Sequence, residues 1–153
     1  MQFTPYLNFA GNCAEAFAFY AELFDGSIDF QSTFGEIPES EDMPPIPESA
    51  KERIMHVHLN VGQQSLMGSD TMPGSTPGCA GDDQQPARGF WVSIQADNVA
   101  EGRRLFDGLA QGGETVMSFA PTFWSAGFGM LRDRFGTPWM VNVAVPMPAQ
   151  HTP

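Results

Sequence analysis

Between Phe3 and Phe9, the side chains Phe3, Pro5, Leu7 and Phe9 alternate with Thr4, Tyr6 and Asn8. A period of two predicts a half-buried strand. Pro5 has no N–H to give to a ladder, so one side of this strand is expected to be free there. The period then changes. Ala16, Phe17, Tyr20, Leu23 and Phe24 recur at helical spacing behind Gly11 and an N-capping Asn12, and Asp25-Gly26 ends the run. Strands are predicted over 27–34, 53–61 and 65–69, the last two joined by a turn at Gly62-Gln63. The acidic, proline-rich stretch from Gly35 to Ser49 reads as a loop or lid.

The same order then returns. Phe90 to Ala96 predicts a strand, Asp97-Asn98 caps a helix with Val99, Gly102, Leu105, Phe106 and Leu109 inward, and Gly112-Gly113 ends it. Strands follow over 114–119, 127–132 and 139–145. The segment 71–88, rich in Pro and Gly, is a linker or flap by composition, and the polar end of the chain reads as a fraying tail. The prediction is an α+β fold: one domain made of a first module at 1–70, the linker at 71–88, a second module at 89–147 and a tail at 148–153. One helix on one small sheet cannot cover both faces of that sheet, so the two halves are expected to pair.

Charge narrows the partners. The chain has 153 residues with 18 acidic and 7 basic side chains, a formal net charge of -11. Only Lys51 is a lysine, and the pairs Arg103-Arg104 and Arg132/Arg134 make no basic stripe, so neither nucleic acid nor an anionic membrane is an expected partner. No apolar run reaches the ~20 residues of a membrane span. Cys13 and Cys79, far apart and without a secretory leader ahead of them, suggest reduced thiols and a cytoplasmic protein.

The segments CAEAFAFYAELF (13–24), ADNVAEGRRLFDGLAQGG (96–113) and FGMLRDRFGTPWMVNV (128–143), in this twofold order, resemble the vicinal oxygen chelate superfamily of glyoxalases, bleomycin-resistance proteins and dioxygenases. PYLNF (5–9), HVHL (56–59), SLMGSD (65–70), TFW (122–124) and RFGTPWMVNV (134–143) narrow the resemblance to its PhnB-like branch, often labelled 3-demethylubiquinone-9 3-methyltransferase-like. The resemblance implies two βαβββ modules, each curling its sheet into a half-open cup, a homodimer, and a ligand pocket inside the cup. In metal-using members, His and Glu ligands come from the first and last strands of each module and hold a divalent ion. Counting from the shared landmarks, those positions fall on or beside Pro5, near Met67, on Trp91 and on Met140. Proline and tryptophan offer no suitable lone pair and methionine sulfur suits soft ions, so the usual metal site is expected to be absent, with no cofactor.

Two other groups carry chemistry. His56 and His58 are i and i+2 on a predicted strand and face the same way, with Asp70 ending the neighbouring strand as a third oxygen. They read either as a relocated metal set or as two sheet histidines bonded within the protein. Trp91, Phe123, Trp124, Phe128 and Trp139 crowd the second half and read either as core or as the lining of an aromatic cavity. The leading expectation is a small organic ligand held by Trp91, Phe123, Trp124, Met67, Met140, His58 and Asp70, with His56 as general base if the protein is catalytic. The alternatives are a metal-dependent isomerase, lyase or dioxygenase using His56, His58 and Asp70, and a non-catalytic subunit binding through the acidic loop at 35–50. The methyltransferase label finds no support in the sequence, which lacks a strand-borne GxGxG loop with an acidic ribose partner.

Overall fold

Each run of alternating residues becomes a strand whose apolar side is covered by the helix of its own half. The computed structural model describes residues 1–38, 45–73 and 89–145. It falls into two units, Met1–Pro86 and Ala87–Pro153. Residues 39–44 of the predicted acidic loop, most of the predicted linker (74–88, including Cys79) and the tail from 146 lie outside the described residues.

The first unit runs β1 (Tyr6–Phe9), α1 (Cys13–Leu23), β2 (Ser27–Thr33), two single turns of 3-10 helix (Phe34–Glu36 and Glu48–Ala50), β3 (Ile54–Val61) and β4 (Gln64–Asp70). Its sheet has the order β1-β4-β3-β2. β1 lies parallel to β4 because α1 carries the chain over one face, and the other two pairings are antiparallel. The second unit repeats this as β5 (Val92–Ala96), α2 (Val99–Ala110), β6 (Glu114–Ala120), β7 (Ser125–Arg132) and β8 (Pro138–Ala144), in the order β5-β8-β7-β6. The twofold strand–helix–three-strand order read from the sequence is therefore the architecture of the chain. Among the described residues each sheet is joined by one α-helix, unlike a doubly wound cofactor sheet with helices on both faces.

Leu7, Phe9, Val57, Leu59 and Leu66 point to the α1 side and bury against Cys13, Ala16, Phe17 and Tyr20. A fully buried aromatic or aliphatic side chain contributes about 1.5–3 kcal/mol, so this layer is the main stabiliser of the unit. Gly68 sits at its centre because a Cβ there would lie 2.6 Å from the Phe17 ring and 2.9 Å from the Leu7 carbonyl. In the second unit, Leu105, Phe106 and Leu109 of α2 cover Leu131, Val141 and Val143. There Gly129 makes room for Phe106, 2.6 Å from where its Cβ would be.

The helix starts differ from one another. Asn98 caps α2 as its sequence predicts, accepting from the Glu101 amide at 2.9 Å. Asn12 occupies the N-cap position of α1 but makes no side-chain cap. The Asp70 carboxylate, arriving from the end of β4, takes the amides of Gly11 and Cys13 instead, at 2.8 and 3.0 Å. The first strand is also shorter than the pattern implied: Phe3 is 91% exposed and the pairing with β4 runs only from Tyr6 to Phe9.

Trp139 also departs from the aromatic-cavity reading. It is buried on the α2 side of β8, and its indole N–H donates to Asp133 at 2.9 Å. Asp133 takes the amides of Phe135 and Thr137 as well, both at 2.9 Å, so this pair pins the β7–β8 turn. Among the described residues, no helix is long and apolar enough to cross a membrane.

Candidate functional site

The face of each sheet away from its helix carries the polar and half-buried side chains. On the first unit, the register sets Tyr6 beside Met67, Met67 beside His58, and His58 beside Phe30. This makes one row across all four strands. His56 stands next to Ser32 in the adjacent row. Tyr6 reaches out of its own row, and its hydroxyl meets His56 Nδ1 at 3.1 Å. The two rings stack with centroids 5.6 Å apart at 27°, and Phe30 lies 5.9 Å from the imidazole on a tilt.

This pair has two proton arrangements. If the phenol donates to Nδ1, the imidazole carries its proton on Nε2 and presents a donor. If Nδ1–H donates to the phenol oxygen, Nε2 presents a lone pair and the phenol keeps its own O–H. In either case one proton donor and one acceptor stand side by side. Next to them, the Nε2 atom of His58 and the hydroxyl of Ser32 are out of solvent and have no hydrogen-bond partner. Leaving such an atom unpaired costs about 1–3 kcal/mol, a cost a bound polar group would remove.

Asp70 is not with the histidines. Its side chain points to the α1 side, where one carboxylate oxygen takes the two amides at the helix start and the other takes the Ile54 amide at 2.8 Å. The set His56, His58 and Asp70 is therefore not brought together. Among the described residues, no three His, Cys, Asp or Glu side chains form a group suited to a metal. Cys13 is a buried free thiol, pushed far above its ordinary pKa by burial first and by the Asp70 carboxylate second.

The register shows which residues stand opposite one another at the counted metal positions. Pro5 precedes β1 and only accepts the Met67 amide through its carbonyl, at 3.0 Å, so the residue opposite Met67 is Tyr6. The residue opposite Met140 is Ser93, and Trp91 lies just ahead of β5. The donors at these places are a phenol and a thioether on one unit, and a hydroxyl and a thioether on the other. That set does not fit a hard divalent ion.

On the second unit, the face away from α2 holds Met117, Met130 and Met140 in one row ending at Ser93. Arg132 lies over the Trp91 ring at 5.9 Å. Asn142 donates to Gln95 at 2.7 Å, and Gln95 donates to Ser93 at 3.0 Å. Phe123 and Trp124 form the bend before β7. Their rings meet edge to face at 4.6 Å, and Trp124 meets Phe128 at 5.9 Å. Phe123 is 95% exposed and Trp124 half exposed. Tyr6, Phe30, Ser32, Met117 and Met130 are the side chains that sequence reasoning passed over. Parity along β2 puts Ser32 on the face of Phe30, but its neighbour His56 across the ladder comes only from the register.

A cleft of about 580 Å³ lies elsewhere on the first unit, lined by Ala10, Gly11, Asn12, Ser49, Glu52 and Arg53. Arg53 is tied down there by a 2.8 Å bond to the Thr71 carbonyl. None of the predicted site residues lines this cleft.

Comparison with known proteins places the chain. The family described as 3-demethylubiquinone-9 3-methyltransferase matches residues 1–142. Protein YjdN of Escherichia coli (strain K12) is 35% identical over 155 residues, spanning 98% of this chain and 100% of that protein. The crystal structure of PA1353 from Pseudomonas aeruginosa is 41% identical, with a TM-score of 0.80 over 94% of this chain and 98% of that one. The PhnB protein from Bacillus cereus has the same fold, at 24% identity and a TM-score of 0.72 over 94% of this chain and 100% of that one. Solved structures of the glyoxalase/bleomycin resistance protein/dioxygenase group share the fold as well. The chain thus belongs to the 3-demethylubiquinone-9 3-methyltransferase family and has the fold of the glyoxalase/bleomycin-resistance/dioxygenase group.

Proposed function

We propose that this chain binds a small organic molecule on the open face of its first sheet, without a hard metal ion. Tyr6, His56 and His58 hold a polar group of the ligand, and Met67 and Phe30 supply apolar contact. The observation that carries the reading is the Tyr6–His56 pair: a hydrogen-bonded donor and acceptor, with Phe30 against the imidazole, on the sheet face away from α1. The unpartnered His58 Nε2 and Ser32 hydroxyl beside it support a ligand that brings its own oxygen or N–H. If the bound molecule is transformed, His56 is the general base. An imidazole backed by a phenol moves a proton without a metal.

The proposal extends to a homodimer in the cytoplasm. The exposed aliphatic side chains Ile28 on β2 and Val116 on β6, both edge strands, support a partner copy. Light scattering at micromolar concentration reads the assembly directly.

The test of the binding reading is a thermal-shift screen of phenols, aromatic carboxylates and α-hydroxycarbonyl compounds. At least one class is expected to raise the unfolding temperature of the wild type and not that of His56→Ala. Equal shifts in both proteins, or none in the wild type, would overturn the assignment. Titration of chelator-treated protein with Zn, Ni and Mn is expected to give no micromolar site that depends on His56 and His58.

A further inference from the structure

Met117 on β6, Met130 on β7 and Met140 on β8 are partners in the sheet register, on the face away from α2. In-register side chains on neighbouring strands have Cβ atoms about 4.5–5.5 Å apart. Methionine is unbranched and has three rotatable side-chain bonds, so the outer two thioethers can lean over the middle strand. Three of the nine methionines of the chain thus stand in one row. Among the described residues no helix lies over this strand face, where β-branched residues are the commoner choice.

Two further features single out the row. The β6–β7 register shifts on both sides of Met117, between Thr115 and Met117 and again between Met117 and Ala120, yet Met117 stays opposite Met130. Such irregularities re-aim a side chain. Met117 is 39% exposed, and Met130 and Met140 are half-buried, so all three side chains are partly open to solvent and partly backed by protein. Arg132 shares the face, but its guanidinium is drawn over Trp91 and Glu114 stands opposite it in the register.

We propose that Met117, Met130 and Met140 form a binding site for one soft monovalent cation of the Cu(I) class. Thioethers select soft ions and bind hard ones poorly, and three neutral sulfurs match the low charge of a d10 monovalent ion. The chain's net charge of -11 favours cation approach. The row shares no residue with the His56 face, so the two proposals are tested by different variants and either can fail alone.

The test uses Ag(I), a redox-silent probe of the same class, on full-length protein with methyl-labelled methionine and a Cys79→Ser substitution that removes the one thiol outside the described residues. The methyl resonances of Met117, Met130 and Met140 are expected to shift together and to saturate at one Ag(I) per chain. Met130→Leu keeps the side-chain volume and is expected to weaken binding at least tenfold, with an unchanged circular dichroism spectrum. If that variant unfolds, Met117→Leu on the exposed edge strand is expected to do the same. Met55→Leu, on β3, is expected to change nothing. Shifts confined to other methionines, undiminished binding in the folded leucine variant, or no saturable binding would overturn the site.

Discussion

One carboxylate oxygen of Asp70 accepts the backbone amide of Cys13 at 3.0 Å, joining the last residue of β4 to the first residue of α1 across 57 positions of chain. The same carboxylate takes the amides of Gly11 and Ile54, so a β-strand side chain does the work of a helix cap and ties β3 to both. Removing it would leave three amides without their acceptor. Asp70→Ala is therefore expected to destabilise the chain by about 3 kcal/mol or more, read as a drop in the urea midpoint. Asp70→Asn keeps one carbonyl oxygen and is expected to lose less. Neither should act through the Tyr6–His56 face, and unchanged stability in both would remove the capping role.

Cys13 links this cap to pH. Burial, then the Asp70 carboxylate, hold its thiol protonated far above the ordinary range. In the unfolded chain a cysteine ionises near pH ~8.5, so above that pH unfolding releases a proton that the fold retains. Stability is then expected to fall as pH rises, by up to ~1.4 kcal/mol per unit, and to be insensitive to this group below about pH 8. The Cys13→Ala variant lacks the group, and the difference between its urea curves and those of the wild type at pH 8 and 9.5 isolates the effect. Parallel pH profiles for the two proteins would contradict the buried-thiol account.

Gly68 is a steric requirement of the α1–sheet contact. A methyl group there meets the Phe17 ring at 2.6 Å and a backbone carbonyl at 2.9 Å, and backbone cannot step aside. Gly68→Ala is expected to cost about 1–3 kcal/mol, lowering the unfolding temperature by several degrees. Gly62→Ala gives a contrast, because its Cβ meets nothing and only its positive φ of 59° opposes the change. Gly68→Ala should cost the more in calorimetry.

Tyr6→Phe removes the hydroxyl at His56 and keeps the stacked ring. Because the bond is exposed, little change in stability is expected. For a ligand found in the screen, affinity is expected to fall roughly fivefold, about 1 kcal/mol, since His56 loses the partner that holds its ring and tautomer. Calorimetric titration of both proteins measures this. Equal affinities would detach Tyr6 from the site.

Much of the fold was legible because its signals are local. Strand-like runs between turn residues marked seven of the eight strands to within about two residues, the β5 start included, and helical spacing with Asn98 at the cap marked α2. The exception was β1, where alternation from Phe3 overran the pairing that begins at Tyr6. The duplicated order and the family likeness were legible for the same reason, since both follow from runs of neighbouring residues. His56 and His58 could also be assigned to one face from spacing alone.

What tertiary structure decided is which residues meet across strands. Alternation assigns Tyr6, His56, Met67 and Asp70 each to a face of its own strand, but their rows depend on the ladder register, which is set by long-range pairing. That register put Tyr6 against His56 and lined up three methionines from three strands. It also turned Asp70 from a potential ligand into the clasp of α1, because the residue at the end of β4 lies beside the helix start only once β1 and β4 are parallel. Sequence determined the elements and their faces; the pairing of distant strands determined the contacts between them.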